Sequence, residues 1–165
     1  MLMLFTLIIG YEWLTSGLSK VFSHSFVTGF HHNVESSLGD SYHFYDPILK
    51  ALVLPNAALF GYFIEGSELF IGAVFLAICF AMFRKTSRWL LKFGMVASAL
   101  SAFLSLNIFL YSGDSFFVKP SDPFSESVSL DLLLAAMQVV LLAYFYKLNQ
   151  SAAYMARDEK QSYAS

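Results

Sequence analysis

Four carboxylates interrupt stretches of this 165-residue chain that are otherwise apolar: Glu12, Glu65, Glu68 and Asp131. One cation, Lys20, accompanies them. A carboxylate at the centre of a bilayer costs about 2.5–3.5 kcal/mol on insertion scales, so it faces a neighbouring helix or a wet cavity and has a partner there. Glu65 and Glu68 stand one helical turn apart. Two anions so close at depth cannot both be cheap, and one is protonated or paired with a cation. A carboxyl with raised proton affinity is what proton-coupled chemistry requires. Glu12, Glu65 and Glu68 are therefore candidate catalytic groups that handle protons, with Lys20 as a binding group for an anion. Tyr11 and Trp13 flank Glu12 and could line the pocket of a flat apolar ligand. Asp131 and Gln138 would complete the binding set from a later stretch.

Each of these residues also has a structural role open to it. Lys20 can snorkel to the interface. Asp131 follows Ser127 and Ser129 and can cap a helix start, where free N–H groups and the helix dipole favour an anion. Glu65 or Glu68 can serve as a plain structural partner for Lys20, and Tyr11 and Trp13 can be packing.

The elements that must position these groups follow from composition. Hydrophobic residues make up 57% of the chain, charged residues 13%, and the mean hydropathy is +0.60. A soluble domain of this size could not bury so much apolar surface. A disordered chain and an ordinary soluble enzyme are excluded, and a net charge of −2 gives no footprint for nucleic acid. The pattern predicts an all-α membrane protein, a four-transmembrane-helix bundle with spans at about 2–22, 57–83, 93–111 and 128–148. The first stretch has no basic run before it and no A-x-A cleavage site, so it is expected to remain as a span.

Basic residues orient the bundle. Arg84, Lys85, Arg88 and Lys92 crowd the link between the second and third spans, which places that link and both termini in the cytoplasm. A long loop from Ser23 to Asn56, between helices 1 and 2, then faces outward, with a short amphipathic helix over Ile48–Leu54 that lies on the membrane or caps the bundle. The Ser112–Ser127 loop also faces outward and is irregular. Residues 149–165 form a polar cytoplasmic tail, frayed at its end.

This topology puts the polar residues of the spans at similar depths in the outer half. Helical spacing sorts them into stripes: Gly61, Glu65, Glu68 and Gly72; Glu12, Ser16 and Ser19; Asp131, Ala135, Gln138 and Leu142. Gly94, Ser98, Ser101 and Ser105 form a small-residue packing face. Asn107 falls elsewhere on its helix, outside the cluster.

Other chemistries find little footing. Cys79 is the only cysteine, so no internal disulfide or CxxC redox pair exists, and the residue reads as a small apolar packing group. His24, His31, His32 and His43 lack HxxxH or HxxE spacing and read as solvated loop residues rather than metal ligands. No dinucleotide fingerprint, P-loop or haem-attachment motif is present.

The run Gly10-Tyr11-Glu12-Trp13-Leu14-Thr15-Ser16-Gly17-Leu18-Ser19-Lys20 resembles the first helix of the DoxX/DoxD superfamily of small membrane proteins. Gly61-Tyr62-Phe63-Ile64-Glu65-Gly66-Ser67-Glu68-Leu69-Phe70-Ile71-Gly72, with the apolar run to Arg84, resembles that family's second helix. The Glu-Trp pair with Gly17 and Lys20 leans toward the DoxD branch. The resemblance covers the first half of the chain; the later spans agree in kind. It implies a membrane subunit of a thiosulfate:quinone oxidoreductase, a thiosulfate dehydrogenase that yields tetrathionate and passes electrons to quinone. A second, DoxA-like subunit would be required, and the anion at Lys20 would be thiosulfate or a semiquinone. Self-association is open. The competing reading is a non-enzymatic scaffold or assembly subunit of an oxidoreductase complex, in which the acids only lock helices together.

Overall fold

The computed structural model describes residues 2–82, 87–113 and 129–162. Among these every regular element is helical: α1 (Leu2–Ser23), α2 (Phe26–Ser36), α3 (Asp46–Ile48), α4 (Ala57–Met82), α5 (Arg88–Ser112) and α6 (Leu130–Ser162). A π turn (Leu49–Val53) and a 3₁₀ turn (Leu54–Asn56) join α3 to α4 without a break. Three helices are long and apolar enough to cross a membrane: the segment Asp46–Ala81, Arg88–Ser112 and Leu130–Tyr154. The protein thus has membrane character. α1 is 22 residues long but carries Glu12 and Lys20 and is not among the three.

The helices pack as two antiparallel pairs, α1 with α4 and α5 with α6, joined through α4 and α5. Small residues set the first pair. A Cβ at Gly72 would lie 2.5 Å from the Leu14 backbone nitrogen, so the α1 and α4 backbones touch where only glycine fits. In the second pair, Ser98, Ser101 and Ser105 are buried as their spacing predicts. Ile71, Phe75, Ile78, Ala97, Leu141 and Phe145 are fully buried between the pairs.

The ends of α5 explain its length. Ser87 has extended backbone, and its hydroxyl accepts a hydrogen bond from the Trp89 N–H at 3.3 Å. Gly113 stops the helix with φ 65°, and a Cβ there would collide with the Asp40 carbonyl. The segment between α2 and α3 therefore lies directly on the end of α5, and the Tyr42 N–H donates to the Leu110 carbonyl at 3.3 Å.

One expectation needs correction. The stretch from Ser23 to Asn56 is not mainly loop. Phe26, Phe30 and Val34 recur every fourth residue and give α2 an apolar face, on which Val34 is only 1% exposed. The Ile48–Leu54 segment caps the bundle, with Leu49 and Val53 buried. At the C-terminus α6 runs on through Ser162, so most of the polar tail is helical. Residues 149–162 contain no Gly or Pro and are rich in Ala, Met, Arg, Glu, Lys and Gln, so helix propensity carries the element past its apolar part. Most of the Ser112–Ser127 loop, and Arg84 and Lys85 of the basic link, lie outside the described residues.

Candidate functional site: an aromatic cavity bounded by an ion pair

The close α1–α4 contact brings Lys20, in the last turn of α1, against Glu68, three turns into α4. The Lys20 Nζ lies 2.9 and 2.8 Å from the two Glu68 carboxylate oxygens and 2.8 Å from the Ser16 hydroxyl. An ammonium has three donors, and all three are committed. The Phe26 ring centroid lies 5.3 Å from the same nitrogen and adds a cation–π contact. The partners are unequally covered: the Lys20 side chain is 23% exposed and that of Glu68 only 3%.

This pair forms part of the wall of a cavity of about 240 Å³. Phe26 and Phe30 of α2, Phe60 and Phe63 of α4, and Phe103 and Ile108 of α5 supply most of the apolar lining, with Tyr45, Leu49 and Val53 from the cap. An engineered cavity of about 150 Å³ holds benzene, so this one has room for a substituted single ring. Its polar margin near the end of α5 is already bonded. The Tyr45 hydroxyl donates to the Asn107 side-chain oxygen, and the Asn107 amide donates to the Phe103 carbonyl at 2.6 Å. The Tyr111 hydroxyl bonds to Asn33 and accepts from the Ser37 hydroxyl at 2.7 Å.

The sequence-derived site residues divide clearly. Lys20 and Glu68 line the cavity together. Glu12 lies on the outward side of α1, within electrostatic range of Glu68, Lys20 and Asp131. Asp131 is in the first turn of α6, where the capping role would put it. Glu65 is half-buried and does not line the cavity. The contacts of Gly10 with Phe75 and of Gly17 with Glu68 set an antiparallel register in which Glu65 meets the last turn of α1, shortly before the chain turns at His24 (φ 52°).

Tyr11 and Trp13 do not share a pocket. Residues two apart on a helix point to different sides; Tyr11 is 65% exposed and Trp13 3%. The Trp13 indole N–H and the amide of the fully buried Gln138 have no hydrogen-bond partner. Neither lines the cavity.

Asn107, set apart from the cluster on helical spacing, does line the cavity. The serine face of α5 meets α6, whereas the cavity is served by the face carrying Phe103, Asn107 and Tyr111. The i, i+4 spacing of Phe103, Asn107 and Tyr111, and of Phe26 and Phe30, was the signal available for these walls. The four histidines are exposed, and His31 lies 4.0 Å from Glu35. Among the described residues no three of His, Cys, Asp and Glu converge to hold an ion.

No family model, no curated protein and no solved structure matches this chain.

Proposed function

We propose that the chain is a four-helix membrane subunit of a redox complex, of the thiosulfate:quinone oxidoreductase kind implied by the DoxX/DoxD resemblance, and that the cavity takes the quinone head group. The observation that carries this reading is the aromatic cavity of about 240 Å³ with a single ion pair in its wall. A ring-sized ligand stacks between phenylalanine faces, and the more exposed partner of the pair, Lys20, sets its positive charge beside the place a carbonyl oxygen would take. Reduction of a quinone to a quinol takes up two electrons and two protons. Glu68 and Lys20 are the charged groups of the wall and pass the protons.

In this reading α1 is the fourth span. The basic Arg84–Lys92 link and both termini are cytoplasmic, and α2 and α3 cover the outer end. In this reading thiosulfate, a dianion, is bound outside this mostly apolar cavity. Oxidation of two thiosulfates to tetrathionate, which releases the two electrons, belongs to the second subunit. Purified chain with that subunit should show thiosulfate-dependent quinone reduction, and Lys20→Met should abolish it. In vesicles without the partner, a short-chain quinone should bind the native chain and bind Phe30→Ala at least about tenfold more weakly, the loss of one stacked ring. Equal binding by both would sink the assignment.

The scaffold reading is favoured by one observation: a lysine with all donors engaged also describes a helix lock. It requires that Lys20→Met impair assembly and leave no quinone binding to lose.

A further inference from the structure

Asn107 is held in one orientation by its two partners. The Phe103 carbonyl, 2.6 Å away, can only accept, so the atom that faces it is the side-chain nitrogen. The side-chain oxygen then faces Tyr45, whose hydroxyl donates to it. A primary amide carries two N–H donors, and the Phe103 carbonyl takes one of them. The other has no acceptor among the described residues, and Asn107 lines the cavity. Asn33 is different. It is exposed, and its side chain meets the Tyr111 hydroxyl, a group that donates or accepts, so no carbonyl fixes its amide.

The register of the bundle separates this donor from the Lys20–Glu68 pair. A Cβ at Gly94 of α5 would lie 2.6 Å from the Ile78 side chain of α4, which sets those two residues level. Asn107 stands as many residues beyond Gly94 as Glu65 stands before Ile78. Antiparallel helices therefore bring Asn107 to the level of Glu65, nearly one turn outward of Glu68. The lining thus carries a cation on its α1–α4 side and a neutral donor on α5, with apolar rings making up most of the rest.

We propose that Asn107 is a specificity-determining contact. Its spare N–H donates to the second carbonyl of a para-dione ring whose first carbonyl lies beside Lys20. This rests on the quinone reading of the cavity and narrows it. A donor that faces an apolar space is satisfied only by an acceptor that the occupant brings. A ring with oxygens on opposite carbons answers both poles of the lining. A ring with one oxygen answers the cation and leaves the amide unmet.

The test uses the whole chain in phosphatidylcholine vesicles, without a partner subunit. The probes are a short-chain para-benzoquinone and the matching cyclohexadienone, in which one carbonyl is replaced by a dimethyl carbon. The native chain should bind the dione about fivefold more tightly than the dienone, the scale of one hydrogen bond. Asn107→Asp should erase that preference while both rings still bind. In its neutral form, which an apolar wall favours, the carboxyl donates to the Phe103 carbonyl and accepts from Tyr45, so only the spare donor is lost. Infrared spectra of the dione bound to the native chain give a second reading that needs no variant: both carbonyl bands should lie at lower frequency than in lipid alone. Binding of both rings without a preference, a preference unchanged in Asn107→Asp, or a carbonyl band left at its lipid position overturns this inference and leaves the quinone reading standing. Failure of the native chain to bind either ring overturns both.

Discussion

The two ends of the bundle are built on different principles. At the end where α4 finishes and α5 begins, Phe75, Ile78 and Phe145 interdigitate with no exposure, and Gly94 fits against Ile78 and Phe145. At the other end, rings of similar size surround a cavity of about 240 Å³. The difference lies in what holds the rings. Phe75 and Phe145 touch each other, with centroids 6.1 Å apart. Tyr45 and Tyr111 are tethered by their hydroxyls to Asn107, Asn33 and Ser37 and cannot collapse inward. Close packing marks the end that provides stability; hydrogen-bonded props mark the end that holds space open.

Substitutions can break this contrast. The largest effect is expected at the packed end: Phe75→Ala should cost about 4 kcal/mol, read by denaturant unfolding in detergent, whereas Phe63→Ala in the cavity wall should cost under about 2 kcal/mol because little packing is lost. A similar loss for both would mean that the hollow end is as tightly built as the packed one. Next, Lys20→Met strands Glu68 in a 3%-exposed site and should cost about 3 kcal/mol. The double variant Lys20→Met, Glu68→Leu should recover most of it, and no recovery would assign Lys20 a role beyond pairing. Gly72→Ala drives a methyl into the Leu14 backbone and should cost about 2 kcal/mol; it should also weaken quinone binding by moving Lys20 relative to Glu68. The smallest effect belongs to Asn107→Ala, about 1 kcal/mol for the lost Tyr45 contact. Its value is as a probe of the props, because a released Tyr45 should shrink the cavity and lower ligand affinity more than stability. Orientation is checked separately: a cysteine at Ser87, in a Cys79→Ala background, should resist an impermeant reagent in right-side-out vesicles until they are opened.

The long apolar stretches were plain in the sequence because a helix that contacts lipid must be apolar over about 20 residues. The Lys20–Glu68 pair was legible for a related reason: charges are so costly at depth that partners are few. Glycines at 61 and 72 mark where helices approach: Gly61 meets Val27 of α2 and Gly72 meets the Leu14 backbone of α1. The cavity was harder to see. Phenylalanines at 26, 30, 60 and 103 look like ordinary membrane packing one at a time, and only tertiary placement turns them into one wall. α2 carries exposed His31 and His32 on one side and Phe26, Phe30 and Val34 on the other, so its composition is that of a loop while its spacing is that of a helix. Glu65 shares a stripe with Glu68 but lies opposite the last turn of α1, because helical spacing gives a direction and not the point at which the neighbouring helix ends.

The cap has a consequence for how anything enters. α2 joins α1 through a link of two residues at His24 and Ser25, α3 runs into α4 without a break, and the stretch between them is fastened to α5 through Tyr42 and Leu110. A roof held along three edges does not swing open toward water. The thin part of the enclosure is its side, where Phe63, Phe103 and Ile108 line the cavity and are also 47%, 57% and 38% exposed. A single layer of side chains separates the interior from the surrounding hydrocarbon there. Concentration in the lipid phase, rather than in bulk solution, would then govern occupancy, and a molecule's partition coefficient would count for as much as its fit.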